Sequence, residues 1–198
     1  SKQEGVSLFM VLQAAVATLL TKLGAGTDIP LGSVLAGRAD RAVDENVGFF
    51  VNTLVLRTDT SGDPTFTDLL AQVRASNLAA YENQDLPFEY LVDVLNPARS
   101  TSHHPLFQVL LVLQNNLAPQ WRLDGLTAEH EVVPTRTSKF DLTFELTERF
   151  SADGRPDGLG GEIEYATDLF DRSSAEALVR RLLRVLRAVA DDPALPLN

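Results

Sequence analysis

The sequence predicts an α/β (α+β) fold, a mixed and mostly antiparallel sheet covered by helices. Three observations carry this. Apolar residues recur at helical spacing near both ends of the chain. Phe140, Leu142, Phe144 and Leu146 alternate with Asp141, Thr143, Glu145 and Thr147, the period of a half-buried antiparallel strand. Helices and strands follow one another without strict β-α-β alternation.

The first helix runs through "SLFMVLQAAVATLLTKLGAG", where Leu8, Phe9, Leu12, Ala15, Val16, Leu19, Leu20 and Leu23 share helical spacing. Ser7 is placed to accept hydrogen bonds from the first free N–H groups, and Gly24 or Gly26 ends the helix. "DIPLGSVLAGR" is a strand, and "ADRAVDEN" is a polar loop. "VGFFVNTLVLRTD" is a strand nearly apolar on both faces, which places it in the interior of the sheet with Phe49, Phe50 and Val51 filling the core. A helix begins at about Pro64, and "DLPFEYLVDVLN" is a short second one with Asp85 as N-cap and Pro87 in its first turn. "PLFQVLLVLQN" is a buried strand and "GLTAEHEVV" a weak one. "SKFDLTFELTERF" and "GEIEYATDLF" are two strands flanking the turn-rich "SADGRPDGLGG". "SSAEALVRRLLRVLRAVADDP" is an amphipathic helix stopped before Pro193.

Composition narrows the function. With 198 residues, 44% of them hydrophobic, the chain is expected to form a single domain, residues 1–198, with a real core. It has no cysteine, which removes disulfides, thiolate metal sites and a cysteine nucleophile. The formal net charge of −10 opposes nucleic-acid binding. No segment approaches the ~20 apolar residues of a membrane span, and the run Leu8 to Leu20 is interrupted by Gln13 and Thr18. A cytoplasmic location is the expectation.

The sharper motifs weigh less than plainer readings of the same residues. "GLGGEI" lacks the spacing of a dinucleotide fingerprint and precedes a strand, so a hairpin loop describes it better. There is no phosphate loop and no G-x-S-x-G elbow. Three histidines, His103, His104 and the distant His130, make a poor metal-ligand set, so no metal is expected. Asp85 and Glu89, four apart, read better as a helix cap and a local contact than as an acid pair. Arg180, Arg184 and Arg187 form a basic stripe on the last helix, more often a solvated face than a docking site.

Three stretches read together are far more specific. "VGFFVNTLVLR" (Val47 to Arg57), "NQDLPFE" (Asn83 to Glu89) and "RSTSHHPLFQV" (Arg99 to Val109) occur in order and closely resemble the last three core motifs of condensation domains from nonribosomal peptide synthetases. The resemblance covers essentially the whole chain. It implies a lobe like that of chloramphenicol acetyltransferase, two of which form the family's domain around a tunnel. It also implies an H-H-x-x-x-D-G motif on the N-terminal lobe, whose second histidine orients, or takes a proton from, an acceptor amine attacking a donor thioester. This chain contains no H-H-x-x-x-D-G. His103-His104 precede "PLFQV" and belong to the third late motif, so the chain is expected to be the C-terminal lobe, beginning near the lobe boundary, with no catalytic residue of its own.

The partners implied are the N-terminal lobe, donor and acceptor peptidyl carrier domains and a neighbouring adenylation domain. No cofactor is expected to be bound; substrates ride on the carriers' phosphopantetheine arms. Gly48, Asn52, Thr53 and Gln114 are the candidates for the tunnel wall. Gly48 is expected to permit close backbone approach, while Asn52 fits contact with substrate and satisfaction of nearby backbone equally well. Asn83, Gln84, Asp85, Pro87, Phe88 and Glu89 are expected to build a helix start, and Arg99, Ser102, Pro105 and Gln108 the lead-in to the following strand. The glycine-rich hairpin is a candidate to clasp the other lobe, and a lobe by itself is expected to expose an apolar face that favours self-association. The motifs resemble those of peptide-bond-forming members and lean towards donors ending in a D-residue. The competing readings are a non-catalytic module that recruits another enzyme to a carrier-bound peptide, and a different acyltransferase of the same superfamily.

Overall fold

The computed structural model describes residues 5–37, 46–98, 100, 103–114, 125–126, 131, 136–151 and 153–197. Among them are four helices, α1 (Leu8–Lys22), α2 (Phe66–Glu82), α3 (Phe88–Leu95) and α4 (Arg172–Asp191). The strands are β1 (Asp28–Leu35), β2 (Asn52–Asp59), β3 (Val109–Gln114), β4 (Leu142–Phe150) and β5 (Pro156–Tyr165). One sheet holds all five in the order β2-β1-β3-β4-β5. The β1/β2 and β4/β5 pairs are antiparallel and carry most of the paired residues, while β3 runs parallel to both β1 and β4. The expected "GLTAEHEVV" strand lies largely outside the described residues, as do Arg99, Ser102 and His130.

α1 is the centre of the core. Every residue from Leu12 to Leu20 is buried, because the helix packs against α2, α4 and the sheet. Its alanines allow that close approach on several sides at once. The two polar interruptions are buried with partners: Thr18 Oγ1 donates to the Ala14 carbonyl at 2.8 Å. Gln13 donates to Thr58 Oγ1 at 3.1 Å and accepts from Asn77 Nδ2 at 2.7 Å, which fastens α1 to both β2 and α2. Ser7 caps α1 as expected, its hydroxyl accepting from the Met10 N–H at 3.2 Å.

Several local expectations are corrected. α2 starts at Phe66 rather than near Pro64, because Thr65 and Asp68 form a reciprocal capping box. The segment after α4 then returns to the same helix end, where Phe66 N–H donates to the Leu195 carbonyl and Thr67 N–H to that of Pro193. β2 is an edge strand, not an interior one, and begins only at Asn52. Val47 and Phe49 before it are almost fully exposed, Val51 is exposed and Phe50 is half-buried, so these residues do not fill this chain's core. "GLGGEI" lies inside β5 rather than in a loop. A side chain at Gly161 would collide with the backbone of β4, so that glycine serves strand pairing rather than a turn.

Candidate functional site

The sheet has one covered face and one open face. Alternation sends Ile29, Leu31, Leu56, Leu111, Leu142 and Phe144 into the helix-covered core. The opposite positions, including Thr53, Gln114, Thr143 and Glu145, face the uncovered side. The three motifs meet at one end of this sheet.

Asn52, first residue of β2, joins the first motif to the second. Its Nδ2 donates to the carbonyls of Gln84 (2.7 Å) and Leu86 (2.8 Å). Its Oδ1 accepts from the N–H groups of Thr53 (2.9 Å) and Phe88 (3.2 Å). Both donors and both acceptor sites of the amide are thereby committed to backbone. The bond to Phe88 also explains why α3 needs no cap of its own. Its N-cap is Pro87, which has no capping side chain, and Asp85 is exposed and does not cap it. Asn52 supplies the missing acceptor from another strand. Asn83 holds the other side of the loop, its Nδ2 donating to the Ala79 carbonyl at 2.9 Å. Asp85 and Glu89 stay exposed on the rim of a cavity of about 330 Å³ that Asn52, Thr53 and Phe88 also line.

Phe88 joins the second motif to the third. Its ring stacks on His104 with centroids 5.6 Å apart and meets Phe107 edge-on at 5.8 Å. His104 also lies 4.5 Å from Phe107 and 4.7 Å from Phe140. Its Nδ1 is 3.0 Å from the Pro105 carbonyl, an oxygen that only accepts, so Nδ1 is the donor. Gln108 closes the same turn, Nε2 donating to the His104 carbonyl at 3.1 Å. The turn forces Leu106 to φ +69°, a strained value for a residue with a Cβ. Half-buried among three phenylalanines, His104 packs as an aromatic. His103 is exposed beside it, and both line a cavity of about 750 Å³ with Asp93 and Asp141. Among the described residues no group of histidines and carboxylates converges to hold a metal ion.

One glycine expectation needs revision. Gly48 meets the Phe50 ring, 3.0 Å from where its Cβ would stand, rather than another backbone. Close backbone approach occurs instead at Gly37, against the Phe50 carbonyl, with φ +64°. Gly32, one residue within an apolar strand in the sequence, has no side chain, and that lets Phe107 lie across β1. A glycine in the middle of an otherwise apolar strand is the signal that marked it. Phe140 reads in the sequence as one step of an alternating strand, and in the fold it packs on His104 and Phe107. Gln114 sits at the end of β3 on the open face, its Nε2 donating to Glu145 Oε1 at 3.1 Å.

The charged groups with clear shifts lie away from this corner. The Arg57 guanidinium holds the Asp28 carboxyl below its ordinary range, and burial pushes the Tyr81 hydroxyl up. The corner offers shape and hydrogen-bonding surface, with no paired nucleophile and base among its described residues.

The Condensation domain family model matches residues 1–198. The chain is 57% identical over 188 residues to a dimodular nonribosomal peptide synthase of Bacillus subtilis, covering 95% of this chain and 8% of that protein. It is 54% identical over 198 residues to a probable non-canonical nonribosomal peptide synthetase, CymA, of Salinispora arenicola, covering all of this chain and 2% of that one. Among solved structures it resembles the X-domain from teicoplanin biosynthesis, with TM-score 0.92, 37% identity and coverage of 99% of this chain and 44% of the other. The same X-domain in complex with OxyB matches with TM-score 0.90, 38% identity and coverage of 99% and 42%. The chain therefore spans only a small part of its curated relatives and less than half of the solved X-domain. No helix among the described residues is long and apolar enough to cross a membrane. With the three motifs gathered in one corner and the family model matched from end to end, the chain belongs to the condensation-domain family, of which it forms one lobe.

Proposed function

We propose that this chain is the C-terminal lobe of a domain that forms a peptide bond between two carrier-bound substrates. The acceptor amine attacks the donor thioester carbonyl; the C–N bond forms, the C–S bond breaks, the donor thiol leaves and the amine gives up a proton. The observation that carries this reading is the uncovered sheet face bordered by the exposed apolar residues Val47, Phe49 and Val51. It fits one wall of a tunnel whose other wall is a second lobe. Thr53 and Gln114 stand on this wall, Asn52 and Gly48 at its edge, and part of a carrier-docking surface lies nearby. The lobe's contribution is proximity and positioning of the amine, and the histidine comes from the upstream lobe. Left without that lobe, the apolar border favours self-association.

A single-turnover assay tests this. The chain is mixed with loaded donor and acceptor carriers, with and without the separately expressed upstream lobe, and the dipeptidyl thioester is followed by mass spectrometry. Product only when the lobe is added supports the reading; product from this chain alone overturns it. A second reading is favoured by the likeness to the X-domain that was solved in complex with OxyB. In it, this lobe belongs to a non-catalytic module that recruits a partner enzyme to a carrier-bound peptide. No dipeptide in either tube, with retention of a partner enzyme, selects it.

A further inference from the structure

The open face carries a feature that neither the motifs nor the aminolysis step uses. Glu145 of β4 stands directly opposite Glu162 of β5, and Glu164 is opposite Thr143. Directly opposed residues of antiparallel strands bring their Cβ atoms to about 5 Å, so this arrangement sets like charges side by side. Folding gains nothing from it. Among the described residues no ion pair involves any of the three glutamates. They line a cavity of about 290 Å³ with Leu110, Phe140 and Thr143. Lys139 also lines it and leaves the cluster net negative.

A second observation points to a ligand. Thr143 is only 9% exposed, and its Oγ1 has no hydrogen-bond partner. An unpaired buried hydroxyl is costly and uncommon, and here it belongs to the residue between the glutamates. Glu145 is also held in place, because Gln114 Nε2 donates to its Oε1 and leaves its other oxygen available. No three carboxylates or histidines converge as metal ligands among the described residues, which suits an organic cation with outward-pointing N–H groups better than a metal ion.

Taking the open face as the tunnel wall of the reading above, we propose that Glu145, Glu162 and Thr143 form a subsite for the cationic side chain of a carrier-bound aminoacyl group. The aliphatic stem would lie on Leu110 and Phe140, with the ammonium or guanidinium between the carboxylates and the hydroxyl. The attacking α-amine is the wrong occupant. A net negative site holds an amine protonated, and the α-amine must be neutral to attack. A basic side chain has no such conflict.

The test is a titration of the chain carrying ¹³C-labelled threonine methyls, with the Thr143 signal identified through Thr143→Ser. The probes are lysyl-pantetheine amide and its norleucyl counterpart, which keeps the α-amine and loses only the side-chain charge. The lysyl probe is expected to shift the Thr143 methyl saturably and to bind about twofold to fivefold more tightly, the range for a partly exposed ion pair. Glu162→Gln and Glu145→Gln should each bring the two probes together. Equal affinity for both probes, no saturable shift with either, or a preference that survives both substitutions overturns the subsite. Condensation itself is judged separately: a dipeptide formed from a norleucyl acceptor upholds the aminolysis reading even where the lysyl preference is absent.

Discussion

On the covered face of the sheet, Leu31, Leu56, Leu111 and Phe144 are at most 2% exposed beneath α1, α2 and α4. On the other face, Gln114 and Glu145 are half-buried and Glu162 and Glu164 are exposed. The same strands build both faces, and alternation alone separates them. The covered face holds the lobe together; Gln13 bridges Thr58 and Asn77, Thr18 bonds the Ala14 carbonyl, and Asn77 Oδ1 is left without a partner. The open face differs in setting like charges directly opposite each other beside an unpaired hydroxyl. Stability resides on the covered face, and a partner or substrate is to be sought on the open one.

The largest effects are expected on the covered side. Leu12→Ala, at a fully buried position of α1, is expected to cost about 2–5 kcal/mol, read as a lowered midpoint in urea unfolding. A cost below about 1 kcal/mol would mean that α1 is not the centre of the core. Asn52→Ala removes four hydrogen bonds, one of them exposed, and should cost about 2 kcal/mol. Hydrogen exchange should quicken at Phe88 before it changes in α1, because the lost acceptor belongs to the start of α3. Simultaneous loss of protection in both helices would contradict the local role of this clamp.

Smaller effects belong to exposed residues. Phe49→Ser should leave the chain's own stability within about 0.5 kcal/mol, since the ring is 89% exposed. It should weaken association with the upstream lobe in a pull-down and reduce any self-association seen by light scattering. Glu162→Gln should raise stability slightly, by a few tenths of a kcal/mol, through relief of the like-charge pair. The Asp171 carboxyl is the N-cap of α4, and the Ser174 N–H holds it below its ordinary range. Its contribution is therefore present above the unfolded carboxylate range and lost as pH falls through the lower folded value. Circular dichroism at falling pH should show that loss in the parent and not in Asp171→Ala.

Much of this fold was legible in the order of residues. Ser7 ahead of an apolar stripe, the alternation from Phe140 to Thr147 and the stripe from Ala175 to Val189 each encode an element locally. The misplacements share a cause. "VGFFV" is apolar enough for a central strand, but hydrophobicity marks residues that leave water, not the molecule that covers them. Asp85 has the chemistry of a helix cap, yet the acceptor came from Asn52 on another strand. Motif position points to Gly48, Asn52, Thr53 and Gln114 as the tunnel wall, whereas Glu145 reads as one polar step of an alternating strand. Parity already placed it on the side opposite Phe144, but nothing local said what would face it.

By itself, then, the sequence determined the element types, the missing H-H-x-x-x-D-G and, through three ordered motifs, the family. These depend on residue identity and near-neighbour spacing. Only the tertiary structure decided that β2 lies at the edge, that Asn52, Phe88 and His104 link the motifs into one corner, and that Glu145 confronts Glu162. Strand register and helix docking set those contacts, and they join residues that no local period connects.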